Sequence, residues 1–188
     1  MSGSAGVIVP PKGYLQRLRD LCDENDILLI FDEVITGFGR VGAPFGADAF
    51  GVQPDIMNIA KGLTNGAIPM GAVLASSQIY DCLMNVDQPE HMIELPHGYT
   101  YSAHPVACAA ALAALDVFQE DHMVDRANTL IPVFEETLHS LKGHPYITDI
   151  RNFGLAGALQ IAPRDGDPVV RPFELGIKCW ELGLYVRW

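Results

Sequence analysis

The apolar run ILLIF at residues 27–31 is followed directly by two acidic residues, Asp32 and Glu33. Short uninterrupted apolar runs are typical of parallel strands that are covered on both faces of a sheet. Ligand sites in open α/β sheets lie at the carboxyl ends of the strands, so both carboxylates are expected at such a site. The run therefore predicts an α/β fold with a buried strand over residues 27–31.

Apolar runs and amphipathic stretches alternate along the rest of the chain, which supports this fold class. Further strands are predicted at 55–60, 71–75, 146–151, 155–161 and 184–187. Helices are predicted around 15–22, 76–84, 105–115, 124–141 and 172–182. The alanine-rich one at 105–115 is expected to be buried in the main body or at a subunit contact. Loops are predicted at 36–54 and 85–98, and a turn at 163–168. A change of domain is expected near residue 118, which divides the chain into 1–118 and 119–188.

Composition excludes several classes of protein. The 188 residues are 49% hydrophobic and 19% charged, which is too apolar for a disordered chain. The formal net charge of -11 argues against binding to a nucleic-acid backbone, and no apolar run approaches the roughly 20 residues of a membrane helix. Four scattered cysteines without a CxxC motif are typical of a reduced, cytoplasmic protein, and the histidines show no metal-ligand spacing.

One glycine motif resembles a dinucleotide fingerprint. Gly37, Gly39 and Gly42 match GxGxxG. Such a fingerprint opens a helix directly after its strand, whereas here residues 32–36 intervene and residues 43–46 do not read as a helix. The motif therefore favours an irregular loop over a dinucleotide site.

Lys61 is the one lysine of four that ends an apolar strand, and Gly62 follows it. At that place its amine would be partly desolvated and available as a nucleophile. Asp32 ends a neighbouring strand in the same way. A lysine and an aspartate at one sheet edge suit pyridoxal phosphate, because the lysine can form a Schiff base and the aspartate can keep the pyridine nitrogen protonated. A buried ion pair that only fixes the loop explains the same spacing equally well.

Longer motifs resemble a known family. The stretches FDEVITGFGR at 31–40, IAKGLTNGAIPMGA at 59–72, HGYTYSAHP at 97–105 and RNFGLAG at 151–157 closely resemble class III pyridoxal-phosphate aminotransferases. Within that class the chain looks most like the β-alanine (omega-amino acid)–pyruvate aminotransferases. The resemblance implies the α/β fold of type I pyridoxal-phosphate transferases. Residues 1–118 would be part of the large cofactor domain, and residues 119–188 would begin the α+β small domain.

The resemblance also implies roles for individual residues. Asp32 would pair with the pyridinium nitrogen, Val34 would pack on one face of the ring, and Lys61 would carry the cofactor as a Schiff base. Thr100 would bind the cofactor phosphate of the other subunit of a homodimer, or of a dimer of dimers. Arg187 would bind the substrate carboxylate. Val41 stands where the family commonly has threonine, and we expect this departure to have a small effect.

The implied activity is the transfer of an amino group from an omega-amino acid or amine to pyruvate by a ping-pong mechanism. Two alternatives stay open at this point. One is another enzyme of the class, such as a 4-aminobutyrate or other omega-aminotransferase or an aminomutase. The other is an inactive fragment that serves only as a binding or interaction module. Members of the family are more than twice as long, so the resemblance implies a piece of a longer enzyme.

Overall fold

The computed structural model describes residues 1–93, 95–164 and 166–188. Within these ranges the helices are α1 (Tyr14–Glu24), α2 (Gly46–Phe50), α3 (Ser77–Met84), α4 (Pro105–Glu120), α5 (Met123–His139) and α6 (Val170–Glu181). The strands are β1 (Ile30–Asp32), β2 (Ile56–Ala60), β3 (Gly71–Ala75), β4 (Ile147–Phe153) and β5 (Ala156–Ile161). The predicted α/β class is confirmed. The predicted loop at 85–98 and turn at 163–168 contain Glu94 and Asp165, which lie outside the described residues.

A three-stranded sheet positions the candidate site. Its order is β1-β2-β3, and β1 runs parallel to β2 with Ile30 opposite Ile56 and Asp32 opposite Asn58. β3 runs antiparallel to β2 along its whole length. A 3-10 turn at Lys61–Thr64 follows β2 directly. The carboxyl ends of β1 and β2 therefore lie at the same edge of the sheet, with Lys61 just beyond it.

The expected burial of the first strand is wrong. Regular pairing begins at Ile30, and the side chains of Leu28 and Ile30 are 55% and 53% exposed. In the part of the chain that the structure describes, β1 is an edge strand whose one neighbour is β2. The exposure of Leu28 and Ile30 shows that no described element covers their face of the sheet, although their pattern was that of a central, covered strand.

The apolar core lies directly beneath the turn that carries Lys61. Ile59, Leu63 and Ala111 form its buried centre, and Phe38 and Met57 are among the residues that pack around them. α4 reaches this centre because alanine side chains allow its backbone to approach the turn closely. The buried residues of α4 are Ala107 and Ala111, while Val106, Leu112 and Val117 are exposed. Within the single chain this helix is thus buried on one face, and the alternative of a subunit contact stays a prediction.

A β-hairpin, formed by β4 and β5, packs against α5 and against the loop that follows β1. Its turn contains Gly154 with φ of 59°, and a Cβ atom there would lie 2.5 Å from the Cα atom of Val41. The neighbouring Leu155 N–H donates to the carbonyl of Arg40 at 2.8 Å. Only glycine fits such an approach of two backbones.

The domain boundary near residue 118 stays a prediction, and α4 runs through this position.

Two local predictions are wrong. The predicted loop at 36–54 contains the short helix α2. The predicted strand at 184–187 is not formed, because the Leu184 N–H donates to the Cys179 carbonyl at 2.8 Å and the segment folds back on α6. Trp188 then packs edge-on against Phe173, with 5.6 Å between ring centroids.

No helix within the described ranges has both the length and the apolar character needed to cross a membrane.

Asp55 connects α1 to the start of both parallel strands. One of its carboxylate oxygens accepts hydrogen bonds from the Leu29 N–H and from Arg19 of α1, each at 2.7 Å. Its backbone N–H donates to the Leu29 carbonyl at 2.9 Å. The bond from Arg19, and then the bond from the Leu29 N–H, holds the pKa of Asp55 below its usual value. These bonds fix α1 at the end of the sheet opposite to Asp32 and Lys61.

We expect Asp55→Asn to lower the free energy of unfolding at neutral pH and to flatten its dependence on pH in acid. A carboxyl group whose pKa is lowered by folding stabilises the protein above its unfolded pKa of about 3.9, and this contribution is lost as the pH falls through the folded value. Urea unfolding between neutral pH and the acid limit of folding measures both effects. Asp116→Asn, on the exposed face of α4, is the matched control. Identical curves for Asp55→Asn and the parent would contradict this account.

Candidate active site

The two carboxylates at the end of β1 have different surroundings. Successive side chains of a strand point to opposite faces, and here Asp32 is exposed while Glu33 is 1% exposed. The Glu33 carboxylate accepts hydrogen bonds from the Thr36 hydroxyl, from the Gly46 N–H at 2.8 Å and from the Ala47 N–H at 2.7 Å. The expectation that both carboxylates serve a ligand at the sheet edge is therefore wrong for Glu33, which binds the protein itself.

The 34–45 loop, which joins β1 to α2, has both ends attached to Glu33. At its start the Gly37 N–H donates to the Glu33 carbonyl at 2.9 Å, and at its end the carboxylate holds Gly46 and Ala47. Because these two amides at the start of α2 already have an acceptor, they are not open to a phosphate. The sequence did not predict α2. Because its first amides donate to Glu33, this helix start gives a further reason to reject a dinucleotide site at the GxGxxG motif.

The glycines of this loop serve packing. A Cβ atom on Gly37 would lie 2.9 Å from the carbonyl oxygen of Glu33. A Cβ atom on Gly42 would lie 2.6 Å from the side-chain oxygen of Asn128 in α5. The side-chain NH₂ group of Asn128 donates a hydrogen bond to the Gly42 carbonyl at 3.0 Å. The prediction that the glycines permit an irregular loop agrees with these contacts.

Lys61 has a strained backbone. Its φ is 48°, in the left-handed region that non-glycine residues rarely occupy outside special sites. Gly62 follows and lies against Phe38, since a Cβ atom on Gly62 would be 2.7 Å from the Phe38 ring. The turn is closed by the Gly66 N–H, which donates to the Lys61 carbonyl at 3.2 Å. Sequence reasoning identified this lysine, but nothing in its neighbours signalled its backbone conformation.

Asp32 and Lys61 lie at one edge of the sheet, and both are exposed. Asp32 accepts a hydrogen bond from the Val34 N–H at 3.0 Å. Among the residues that the structure describes, no ion pair joins Asp32 to Lys61. The interpretation of this pair as a buried structural ion pair is therefore wrong. The cofactor interpretation assumed a partly desolvated amine, and this assumption is also wrong for the described structure because Lys61 is exposed. The role of the pair in holding a cofactor stays a prediction.

Two other predicted site residues are not bonded to Asp32 or Lys61 in the described ranges. Thr100 is exposed in the turn that precedes α4, between Tyr99 and Tyr101, which are 78% and 83% exposed. Arg187 is exposed in the segment that follows α6. In the described ranges, no hydrogen bond or ion pair joins either residue to Asp32 or Lys61. Their roles stay predictions, as does the packing of Val34, which is half-buried, on a cofactor ring.

Comparison with known proteins identifies the family. The family model described as aminotransferase class-III matches residues 1–187. The chain therefore belongs to the class-III aminotransferases, and the predicted resemblance is confirmed.

Named relatives make the comparison more specific. A β-alanine–pyruvate aminotransferase of Pseudomonas aeruginosa is 66% identical over 187 residues, and an omega-amino acid–pyruvate aminotransferase of Pseudomonas putida is 63% identical. Each match covers 100% of this chain and 42% of the relative. The chain thus spans about two fifths of the length of these curated relatives.

Solved structures support the same assignment. An omega-transaminase of Thermomicrobium roseum superposes with a TM-score of 0.85 at 38% identity, over 98% of this chain and 42% of the other. A PLP-bound amine transaminase from an uncultivated Pseudomonas species gives 0.86 at 41% identity, over 98% and 43% of the two chains. The predicted fold, that of pyridoxal-phosphate transferases, is therefore confirmed.

We expect the backbone of Lys61 to favour glycine over alanine. In the left-handed region a Cβ atom costs about 1 kcal/mol, so Lys61→Gly should have the higher free energy of unfolding of the two variants by about that amount. Urea denaturation of both variants measures the difference. The matched pair Lys142→Gly and Lys142→Ala should show no advantage for glycine, because Lys142 does not have a positive φ. An Lys61→Ala variant more stable than Lys61→Gly would contradict the backbone assignment.

Proposed function

We propose that this chain is part of a pyridoxal-phosphate-dependent transaminase that moves an amino group from a β-alanine-like omega-amino acid or amine to pyruvate. The observation that carries the proposal is the placement of an exposed carboxylate, Asp32, and an exposed amine, Lys61, beyond the ends of adjacent parallel strands. The names of the relatives at 66% and 63% identity supply the substrate class.

Asp32 and Lys61 divide the chemistry between them. Pyridoxal phosphate supplies an electron-withdrawing pyridine ring when it is bound. The Lys61 amine would hold the cofactor through its aldehyde carbon, and once freed it would serve as the general base and acid that carries a proton to and from the substrate carbon. The Asp32 carboxylate, which accepts a hydrogen bond from the Val34 N–H, would keep the pyridine nitrogen protonated. The donor leaves as its carbonyl product before pyruvate accepts the amino group, which is a ping-pong sequence.

The remaining roles follow the family pattern. Val34 packs on one face of the cofactor ring. Thr100 binds the phosphate of the cofactor in the other subunit of a homodimer, and its exposure on the turn before α4 leaves it free to do so. Arg187 binds a substrate carboxylate, a task that suits the two parallel donors of a guanidinium group. The free state of Cys22, Cys82, Cys108 and Cys179 supports a cytoplasmic location.

One other activity has a specific observation in its favour. A γ-aminobutyrate transaminase of Solanum lycopersicum is 38% identical over 98% of this chain and 37% of the relative. The donor could therefore be 4-aminobutyrate, which carries an amine and a carboxylate as β-alanine does. The higher identity to β-alanine–pyruvate aminotransferases favours the shorter donor.

The cofactor should attach to Lys61. Pyridoxal phosphate added to the purified chain, reduced with borohydride and followed by peptide mapping, should modify Lys61 in preference to Lys142, and Lys61→Ala should lose this modification. Reduction freezes the covalent bond, so the readout does not depend on turnover. Equal modification of all exposed lysines would contradict a built site in this chain.

Arg187 should discriminate donors that have a carboxylate from those that lack one. In a version extended to the length of the relatives, Arg187→Ala should raise the KM for β-alanine roughly tenfold or more, the effect of losing a charge-assisted bond, and leave the KM for a plain alkylamine unchanged. Steady-state assays with pyruvate as acceptor measure both constants, and 4-aminobutyrate tests the second donor. An equal loss with both donor types would exclude this role for Arg187.

A further inference from the structure

The Glu33 carboxylate holds a loop whose far side touches the turn of Lys61. The carboxylate is 1% exposed and has three donors, which come from both ends of the 34–45 loop. A charge buried this deeply is tolerated only when hydrogen bonds replace its water. The loop ends are therefore fixed as long as the carboxylate keeps these three hydrogen bonds.

The loop presents a strained residue to the lysine turn. Phe38 has φ of 57°, in the left-handed region, and its ring lies where a Cβ atom of Gly62 would stand. The ring also packs edge-on against Phe45 and Phe118, with centroids 5.4 Å and 6.4 Å away. A bulky residue keeps such a backbone only when its surroundings enforce it. The same requirement applies to Lys61, one residue before Gly62.

We propose that Glu33 is a positioning residue for Lys61: its buried carboxylate fixes the 34–45 loop, so that Phe38 packs on Gly62 and keeps Lys61 in its left-handed conformation. The inference about the backbone rests on the contacts above. Its consequence for the cofactor rests on the proposed function. Glu33 itself has no bond to a ligand in this scheme and acts through Phe38.

The variant Glu33→Gln tests this inference, because glutamine keeps the size of the side chain but turns one acceptor into a donor that faces a backbone N–H. Hydrogen exchange, measured by mass spectrometry well below the unfolding temperature, should become faster both in residues 37–47 and in residues 61–66. The affinity for pyridoxal phosphate, measured by borohydride trapping on Lys61, should fall roughly tenfold or more, or about 1.4 kcal/mol.

Asp55→Asn is the matched control, since it also removes a carboxylate that accepts a backbone N–H, but at the opposite end of the sheet. It should speed hydrogen exchange near residues 27–30. The exchange rates of residues 61–66 and the affinity for pyridoxal phosphate trapped on Lys61 should stay as in the parent. A further pair of variants tests the hydrogen bond from the Thr36 hydroxyl to Glu33. Thr36→Val, which lacks the hydroxyl, should reproduce part of the faster exchange and weaker cofactor affinity of Glu33→Gln. Thr36→Ser, which keeps the hydroxyl, should behave like the parent. This pair also decides the matter should Glu33→Gln fail to fold.

Two results would overturn the inference. One is faster exchange confined to residues 37–47, with residues 61–66 unchanged. The other is an equal loss of affinity in Asp55→Asn, which would assign the effect to global stability. Failure of the parent chain to bind pyridoxal phosphate would count against the proposed function of the isolated chain, while the exchange data would still decide whether Glu33 positions Lys61.

Discussion

The parallel pairing of β1 with β2 determines where the groups of the site lie. Asp32 stands opposite Asn58, and β2 continues for two more residues to Ala60, so Lys61 follows at the same edge of the sheet as the carboxylate. Because side chains alternate along a strand, a shift of the register by one residue would exchange Asp32 with Glu33. Asp32 would then be buried, and the loop would lose the Glu33 carboxylate as the acceptor of its hydrogen bonds. The Glu33 N–H donates to the Asn58 carbonyl at 2.8 Å and extends the pairing that prevents this shift.

The 34–45 loop connects the sheet to the rest of the chain. Phe38 contacts the turn after β2, Gly42 lies against α5, and the backbone of Val41 lies against the hairpin turn at Gly154. Each of these contacts is too close for any side chain larger than hydrogen on the glycine concerned. The loop is thus a well-packed element despite its lack of regular structure. Its conformation is determined by three separate parts of the fold together with the carboxylate at its base.

Apolar runs and helical periodicity predicted correctly those strands and helices whose formation depends mainly on neighbouring residues. The strand at 71–75 is found as predicted, β2 begins one residue later than predicted, and α3 and α5 agree closely with the predicted helices. A site at the ends of β1 and β2 is predicted from the two apolar runs, which end at Asp32 and at Lys61, and the roles of these residues stay predictions. Family membership, inferred from four short motifs, is confirmed by a match over residues 1–187.

The errors arise where distant residues decide the outcome. α2 forms around amides held by Glu33, thirteen and fourteen positions earlier, and a periodic pattern does not register such bonds. The segment at 184–187 has the composition of a strand, but its backbone bonds to Cys179. Ile30 and Leu28 have the pattern of a covered strand and are exposed because no element among the described residues packs on their face of the sheet. The left-handed backbone of Lys61 likewise depends on the close approach of Phe38 and Gly62.

The backbone of Lys61 has a consequence for evolutionary drift. A position with this φ suits glycine or asparagine, and a lysine persists there only while its amine is useful. If selection for the amine were relaxed in a duplicated copy of the gene, substitutions to glycine or asparagine at this position would be among the first to be accepted, because these residues relieve the backbone strain. A glycine after β2 in a homologous chain would therefore mark a protein that has kept the architecture and given up the chemistry.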